Sequence, residues 1–174
     1  MRTLVAPLHV LFVLLVLLPG LAGAEAAGGL AWTAPKAWKV EAERPMRAAT
    51  YKIAAQKGDA DDAECAVFYF GRGQGGTVEQ NVQRWAAQFE GGKAPTTKKE
   101  KAGALDVTTL ELEGTYTGGG GPMGAKVTKP GYRLLGAIVD GPEGAIFFKL
   151  TGPSKTVQAA RADFLKMAKG IAKR

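Results

Sequence analysis

Histidine and cysteine are almost absent from this 174-residue chain. The one histidine, His9, lies in an apolar segment near the N-terminus, so residues 25–174 contain none. Histidine is the usual general base near neutral pH and the commonest metal ligand. Its absence argues against Ser-His-Asp hydrolases, Cys-His proteases and His-ligated zinc sites. The one cysteine, Cys65, excludes an intramolecular disulfide, so packing alone must hold the fold together.

The N-terminal segment has the pattern of an export signal. Residues 8–18 are apolar apart from the histidine, and a basic residue, Arg2, precedes them. A membrane-spanning helix needs about 20 apolar residues, so this run is too short for an uncleaved anchor. Two alanines, Ala22 and Ala24, then form the small-x-small pattern that signal peptidases recognise. We therefore expect residues 1–24 to be a signal peptide that is removed.

Residues 25–174 are predicted to form a single domain, periplasmic or secreted, with no transmembrane segment. About 150 residues are enough for one hydrophobic core. Removing the single charge of the leader, Arg2, leaves 22 basic side chains against 16 acidic ones, a net charge of +6. This excess favours an acidic partner through long-range attraction. The basic residues are dispersed and are not interleaved with aromatics, which argues against nucleic-acid binding.

The hydrophobic patterns predict an α+β fold with a largely antiparallel sheet. Residues 64–70 are apolar on both faces, which predicts a strand covered on both sides. A turn at residues 140–144 joins the last two strands as a β-hairpin. The other predicted strands are residues 46–54, 96–101, 105–116, 132–139 and 145–150. The side chains expected in the core because of their size or apolar setting are Trp32, Trp38, Trp85 and Cys65.

Two amphipathic helices are predicted to flank this sheet. Thr77 and Gln80 form a capping-box pair at the start of the first helix, and Gly91 and Gly92 are expected to end it. The second helix begins near Pro153, as proline favours a first helical turn. The apolar stripes are Val78, Val82, Trp85 and Phe89 in the first helix, and Val157, Ala160, Phe164, Met167 and Ile171 in the second.

Two irregular segments are predicted in the second half of the chain. Within residues 105–116 the apolar side of the strand changes partway, which predicts a β-bulge near Thr108 and Thr109. Residues 117–131 form a long glycine-rich loop. Loops of that length in compact domains are usually functional or mobile. We expect this loop and the glycine-rich segment at residues 71–76 to be the contact regions for a partner.

Several segments resemble small bacterial exported proteins of unassigned role. The resemblance is carried by residues 63–76, 81–89 and 147–153. The layout also resembles the PsbP-like α/β/α sandwich, in which a terminal helix follows an antiparallel hairpin, and the pair Pro35 and Trp38 fits that layout. The photosystem II subunit of that family is an accessory protein and not an enzyme. The resemblance therefore implies an α/β/α sandwich and a non-enzymatic role.

Residues 71–76, GRGQGG, match the G-x-G-x-x-G pattern and lie between a predicted strand and a predicted helix. No alternating strand–helix–strand pattern surrounds them, which disfavours a dinucleotide site, and no cofactor is predicted. The commoner explanation is a turn whose glycines supply positive φ. Free N–H groups at the helix start would also suit a carboxylate or phosphate. The candidate ligand-binding residues, of which the last three form a polar helix stripe, are Arg72, Gln74, Gly75, Thr77, Asn81, Arg84 and Gln88.

Four carboxylates lie close together in the sequence, at Asp59, Asp61, Asp62 and Glu64. Carboxylate oxygens are the ligands that calcium prefers, and a cluster of this kind is one way to build a calcium site. The D-x-D-x-D-G spacing of a calcium-binding loop is absent here. No metal site is therefore predicted.

Three functions remain open from the sequence. The first is a non-enzymatic accessory or binding module for an unknown protein or an anionic ligand. The second is a hydrolase that uses carboxylates alone, as glycosidases do. Its candidate residues are Asp106, Glu111 and Glu113, of which the two glutamates share one strand face. The third is a structural protein of the cell envelope.

Overall fold

The computed structural model describes residues 25–118 and 127–174. Its helices are α1 (Val78–Ala86) and α2 (Ser154–Lys169). Its strands are β1 (Glu25–Ala27), β2 (Leu30–Trp32), β3 (Lys39–Val40), β4 (Ala49–Ile53), β5 (Ala63–Tyr69), β6 (Phe89–Glu90), β7 (Thr96–Ala102), β8 (Leu105–Tyr116), β9 (Lys129–Gly141), β10 (Gly144–Pro153) and β11 (Ala172–Lys173). In the described part of the chain, neither helix is long and apolar enough to cross a bilayer.

A large antiparallel sheet forms the centre of the fold. Its strand order is β3-β4-β5-β10-β9-β8-β6, and β7 also pairs with β8. β1, β2 and β11 form a separate three-stranded sheet. The predicted hairpin is confirmed, because β9 and β10 pair from Gly141 and Gly144 at the turn as far as Tyr132 and Pro153. The predicted α+β class with a largely antiparallel sheet is therefore confirmed.

Alternate residues of the central strands pack against different helices, on opposite faces of the sheet. Phe148 of β10 belongs to the core that contains the buried side of α2, whereas its neighbour Phe147 belongs to the core that contains Trp85 of α1. We call these the α2 face and the α1 face. The three-stranded sheet contributes Leu30 and Trp32 to the α2 face. The predicted α/β/α sandwich is confirmed in part, since this small sheet shares one layer with α2.

A chain of hydrogen-bonded polar groups leads from the core of the α2 face to its margin. The Trp32 indole N–H donates to the Tyr51 hydroxyl at 2.8 Å, which in turn donates to the Glu25 carboxylate at 2.5 Å. The Trp32 and Phe148 rings pack at right angles, with centroids 5.6 Å apart. Burial raises the pKa of Tyr51 and that of the Cys65 thiol. The three tryptophans and Cys65 are all buried, as predicted.

The bulge predicted near residues 108–109 is wrong. Strands β8 and β9 pair regularly through that region, and the one shift in their register lies between Gly114 and Tyr116. The change of apolar side has another cause. Val107 contributes to the core of the α2 face and Leu110 to the core of the α1 face. A regular strand that is covered on both sides therefore produced the same sequence pattern as a bulge.

The end predicted for the first helix is also wrong. α1 ends at Ala86, and the predicted stop at glycines 91 and 92 comes after a further strand. Phe89 lies in β6, opposite Tyr116 of β8, and the two ring centroids are 5.2 Å apart. Strand pairing and this aromatic contact therefore override the helical spacing of Phe89.

The second helix agrees with its prediction. α2 starts at Ser154, directly after Pro153, and the predicted apolar stripe is buried as far as Ile171, just beyond the helix. Asp59 accepts a hydrogen bond from the backbone N–H of Thr156 in the first turn, at 2.8 Å. Of the predicted glycine-rich loop, residues 119–126 lie outside the described residues, and β9 already begins at Lys129.

Candidate functional site

A groove runs beside α2 on the α2 face of the sheet. It consists of two cavities of about 610 and 370 Å³ that share Thr96 and Glu111 in their walls. The first cavity is bounded by the loop between β6 and β7 and by Arg133 of β9. The second is bounded by Phe164 and Leu165 of α2. We call the two together the α2 groove.

The α2 groove presents more positive than negative charge to solvent. Its cations are Lys93, Lys98, Arg133, Arg161 and Lys169, and its carboxylates are Glu100, Glu111 and Glu113. The side chain of Lys98 is 70% exposed, whereas that of its partner Glu100 is 22% exposed. Arg161 is 45% exposed, whereas its partner Glu111 is 29% exposed. In these pairs the cation therefore projects further into solvent than the carboxylate.

Arg133 holds both glutamates of β8 in the first cavity. Its guanidinium bonds Glu111 through Nη1, and Nη2 donates to Glu113 at 2.6 Å. The same guanidinium donates to Gln158 at 2.9 Å and to Ser154 at 3.2 Å. The Ser154 hydroxyl donates to Glu113 at 2.6 Å. We call this set the Arg133 clamp, because it ties β8 and β9 to the first turns of α2.

Glu100 is held in a similar way at the other end of the groove. It accepts hydrogen bonds from Lys169 at 2.6 Å and from Lys98 at 2.7 Å. These bonds, the one from Lys169 first, hold the pKa of the Glu100 carboxyl below its usual value. Glu100 is therefore charged at neutral pH and already neutralised by the protein's own lysines.

The carboxylates considered for hydrolysis are not arranged as an acid and a base. Glu111 and Glu113 do share one strand face, but a single guanidinium, Arg133, lies between them. Asp106 lies on the opposite face of β8 by strand alternation, and it pairs with Lys101 at 2.6 Å. Hydrolysis by two carboxylates needs a proton donor that faces a base across the substrate. The Arg133 clamp suits a structural or binding role better.

The glycine-rich segment 71–76 forms a strand-to-helix turn. Gly71, Gly73, Gly75 and Gly76 have φ values between +70° and +99°, in the left-handed region that L side chains rarely adopt. The explanation of this segment as a glycine turn is therefore confirmed. The turn packs on the α1 face, where a Cβ added at Gly75 would lie 2.8 Å from the ring of Phe147.

The chain's own groups occupy part of the N-terminus of α1. The predicted capping box is present, since the side-chain carbonyl of Gln80 accepts from the backbone N–H of Thr77 at 2.9 Å and the Thr77 hydroxyl accepts from the backbone N–H of Gln80 at 3.2 Å. Glu79 adds a carboxylate there. Its own backbone N–H and then the Thr77 hydroxyl hold the pKa of Glu79 below its usual value. An external anion at this helix end would compete with that carboxylate.

Two of the candidate ligand-binding residues connect α1 to the glycine turn. Asn81 is buried, and its amide donates to the carbonyls of Thr77 at 2.8 Å and Gly75 at 2.9 Å. Arg84 donates to the Asn81 side chain at 2.5 Å and to the Gly75 carbonyl at 3.2 Å. These contacts explain why polar residues stand at these helix positions. A ligand-binding role for them stays a prediction.

The remaining candidate residues do not converge on one point. Arg72 and Gln74 are exposed on the turn. Gln88 follows the end of α1, where its backbone carbonyl accepts a hydrogen bond from the Thr117 N–H at 2.8 Å. Its side-chain carbonyl instead accepts from Lys149 of β10 at 2.5 Å. Gln88 therefore belongs to a different cluster from the glycine turn.

Lys149 is a partly buried cation that the sequence analysis missed. Its Nζ lies 5.7 Å from the centroid of the Tyr116 ring, in addition to its bond to Gln88. Burial, and then the nearby positive charge of Arg47, lower the pKa of Lys149 from 10.5 to about 8. Strongly shifted pKa values are frequent at functional sites. One feature of the sequence could have identified it, namely a lysine within an apolar strand of a sheet that was predicted to be covered on both faces.

Tyrosines and a second ion pair lie beside Lys149. Tyr116 stacks on Tyr132, with centroids 5.9 Å apart. The Tyr132 hydroxyl donates to Asp61 at 2.7 Å, and Lys129 donates to the same carboxylate at 2.6 Å. The Lys129 bond and then the Tyr132 bond hold the pKa of Asp61 below its usual value, while burial raises that of Tyr132. Lys149 thus lies within a wider polar cluster on the α1 face.

The four neighbouring carboxylates of the sequence bind different partners in the fold. Their partners are Thr156 for Asp59, Lys129 and Tyr132 for Asp61, Lys52 for Asp62, and Arg44 and Arg47 for Glu64. Among residues 25–118 and 127–174, no three side chains of the metal-ligating types converge on one point. The carboxylates connect neighbouring elements of the domain.

Comparison with known proteins identifies the fold. No family model and no curated protein matches the sequence. Cyanobacterial PsbP (CyanoP) from Synechocystis sp. PCC 6803 has a similar solution structure, with a TM-score of 0.54 and 12% identity over 89% of this chain and 95% of that one. The Pseudomonas aeruginosa protein PA94, of unknown function, gives a TM-score of 0.52 and 12% identity over 83% and 91% of the two chains. The chain therefore has a PsbP-like fold, as its resemblance to that family predicted.

Proposed function

We propose that this chain is an exported, non-enzymatic binding module that holds an acidic segment of a partner protein in the α2 groove. The observation that carries the proposal is the arrangement of charge in that groove. Five cations line it against three carboxylates, and Lys98 and Arg161 project further into solvent than the carboxylates that they bond. Exposed cations beside paired carboxylates leave a net attraction for an acidic chain.

The groove also has the size and the lining that a peptide segment needs. Its two cavities together reach the upper end of the range typical of ligand pockets, roughly 300–1,000 Å³. Leu165 supplies apolar surface on the α2 side, and Thr96 supplies a polar group where the cavities join. The PsbP-like fold is compatible with such a module. The Arg133 clamp supports binding over carboxylate hydrolysis.

We propose export because of the signal-peptide pattern of residues 1–24. Cleavage at a single site predicts one definite mass for the mature protein. β1 starts at Glu25, whose carboxylate bonds Tyr51. Cleavage after Ala24 keeps this strand, whereas cleavage after Ala27 removes it. We expect mass spectrometry of the protein from the periplasm or medium to give an N-terminus at Glu25. Recovery of the protein from the cytosol with Met1 intact would contradict this part of the proposal.

Charge reversal in the groove tests the binding function. We expect the double variant Lys98→Glu, Arg161→Glu to bind an acidic peptide about tenfold more weakly than the wild type, because two attractive charges become repulsive. The probe is fluorescein-labelled hexaglutamate, and the measurement is fluorescence anisotropy at low ionic strength, at about 20 mM salt.

The matched control reverses two exposed lysines that do not line the groove, in the variant Lys36→Glu, Lys57→Glu. It changes the net charge by the same amount as the groove variant. We expect its affinity to stay within about twofold of the wild type at this ionic strength. An equal loss in both variants, or no binding by the wild type, would refute the groove as the binding site.

A further inference from the structure

The α1 face of the sheet carries three cations around one carboxylate. Arg44 and Arg47 each bond Glu64 at 2.8 Å. Lys149 is the third cation, and both Arg47 and Glu64 are close enough to affect its ionisation. Among the described residues its Nζ hydrogen bond goes to the neutral amide of Gln88 and not to a carboxylate. The group therefore has an excess of positive charge.

Thr151 places an unpaired hydroxyl on the same face. It lies two residues from Lys149 on β10, so the two side chains project from one face, with Cα atoms about 7 Å apart. Its strand partner on β5 is Glu64. The Thr151 Oγ1 atom is buried and makes no hydrogen bond within the part of the chain that the structure describes. Buried hydroxyls are normally satisfied, so this one points to a ligand or a water molecule.

The side chains around Lys149 are small or aromatic. Its strand neighbour on β5 is Ala66, whose side chain is a single methyl group. The ring of Phe68 lies 5.7 Å from the Arg47 guanidinium, and the ring of Tyr116 lies at the same distance from the Lys149 ammonium. Aromatic walls reduce the local dielectric, which strengthens the attraction between these cations and an anion.

We propose that Lys149, Thr151 and Arg47 form a binding site for a small oxyanion, a phosphate or a carboxylate. An oxyanion accepts hydrogen bonds from an ammonium and a hydroxyl at once. It also balances the excess positive charge that remains when three cations share one carboxylate. The site is distinct from the α2 groove, which lies on the other face. It is also distinct from the glycine turn, where Glu79 already occupies the helix end.

Titration with simple salts tests the site. The probes are sodium phosphate and sodium acetate, each compared with sodium chloride at equal ionic strength. We expect at least one oxyanion to raise the Tm in a saturable way, because it binds the folded protein and not the unfolded chain. We also expect shifts in the NMR amide signals of Lys149 and Thr151. The stronger of the two salts identifies the class of ligand.

Two conservative variants separate this site from general charge effects. Lys149→Met and Thr151→Val keep the side-chain size, and each is expected to weaken oxyanion binding about tenfold, the effect of losing one charge-assisted hydrogen bond. Lys36→Met removes an exposed charge elsewhere and is expected to leave the affinity unchanged. The groove variant Lys98→Glu, Arg161→Glu is also expected to bind the oxyanion normally, so the two proposals can fail separately.

Three results would overturn the oxyanion site. The first is an equal Tm response to chloride and to both oxyanions. The second is a Lys149→Met variant that folds and binds the oxyanion as tightly as the wild type. The third is loss of binding in the groove variant, which would move the anion to the α2 groove.

Discussion

Replacing Phe148 with alanine is expected to lower the free energy of unfolding by about 3–5 kcal/mol. Phe148 is fully buried in the centre of the sheet, on β10, and its ring packs at right angles to the Trp32 ring. Truncation removes apolar contacts and leaves a cavity between the sheet and the small three-stranded sheet. Neighbouring β strands fix the backbone there, so the site has little freedom to collapse. Urea denaturation followed by tryptophan fluorescence measures the loss.

Val40→Ala provides the control for Phe148→Ala. Val40 is 60% exposed on the edge strand β3, so the substitution creates no cavity in the core. We expect it to change the free energy of unfolding by less than about 0.5 kcal/mol. A loss below about 1 kcal/mol for Phe148→Ala, with an unchanged dependence on urea, would contradict the packing described for the α2 face.

Replacing Lys149 with methionine is expected to raise the free energy of unfolding at pH 7 by about 2 kcal/mol. The lowered pKa corresponds to a cost of roughly 3 kcal/mol, and the lost hydrogen bond to Gln88 offsets about 1 kcal/mol of it. The lysine is partly buried, and burial with the like charge of Arg47 lowers its pKa to about 8. The folded state therefore holds this proton less tightly than the unfolded chain does, and the charged form destabilises the fold. Methionine fills a similar volume without a charge. The gain in stability would accompany the loss of oxyanion binding.

The pH dependence of this gain has a definite sign. Below about pH 8 the lysine is protonated in both the folded and unfolded states, so the full penalty is present. Between about pH 8 and the usual pKa of 10.5, only the unfolded chain keeps the proton, so the wild type gains stability as pH rises. The charged and ionisable groups that face Lys149 are Arg47, Glu64 and Tyr116, and they are common to both proteins. We therefore expect the difference in free energy of unfolding between Lys149→Met and the wild type to decrease as the pH rises through this range.

Lys36→Met is the matched control for Lys149→Met. Lys36 is exposed, and its substitution is expected to change stability by less than about 0.5 kcal/mol at any pH in the series. Denaturation midpoints measured from pH 7 to about pH 10 test both variants. A Lys149→Met protein that is less stable than the wild type at pH 7 would show that its bonds to Gln88 and Tyr116 outweigh the cost of burial.

The elements that depend on local pattern could be predicted from the sequence. The strand at residues 105–116 and the start of α2 after Pro153 agree with the structure, because alternation and a helix-starting proline are local signals. The capping box of Thr77 and Gln80 is equally local. Burial of Phe164 followed from its place in the helical stripe. These predictions needed no knowledge of which strands are neighbours.

The errors arose where a distant residue decides the conformation. Phe89 fits the helical stripe of α1, but its partner Tyr116 is far away in sequence, and the strand pair forms instead of a further helical turn. The bulge was inferred from a change of apolar side. A strand covered on both faces gives the same pattern, and only the position of α1 over Leu110 separates the two.

The candidate site could not be predicted from the sequence, because it too depends on contacts between residues that are distant along the chain. The α2 groove joins residues of the β6–β7 loop, of three strands and of α2, and the sheet register decides which of their charges meet. Glu111 and Glu113 were identified as a pair on one strand face. Their shared partner, Arg133, is placed by the pairing of β8 with β9, which no local pattern specifies.

The Arg133 clamp makes the groove and the first turns of α2 thermodynamically linked. The same guanidinium bonds the glutamates in the groove and both Ser154 and Gln158 of the helix. A bound acidic segment that pairs with Arg133 weakens the bonds from Arg133 to the first turns of α2. Conversely, local unfolding of these turns releases Arg133 to pair with a bound segment. Occupancy and local opening of α2 would then share one coupling free energy, reciprocal between the two. The domain could report the presence of its partner through the stability of a single helix end.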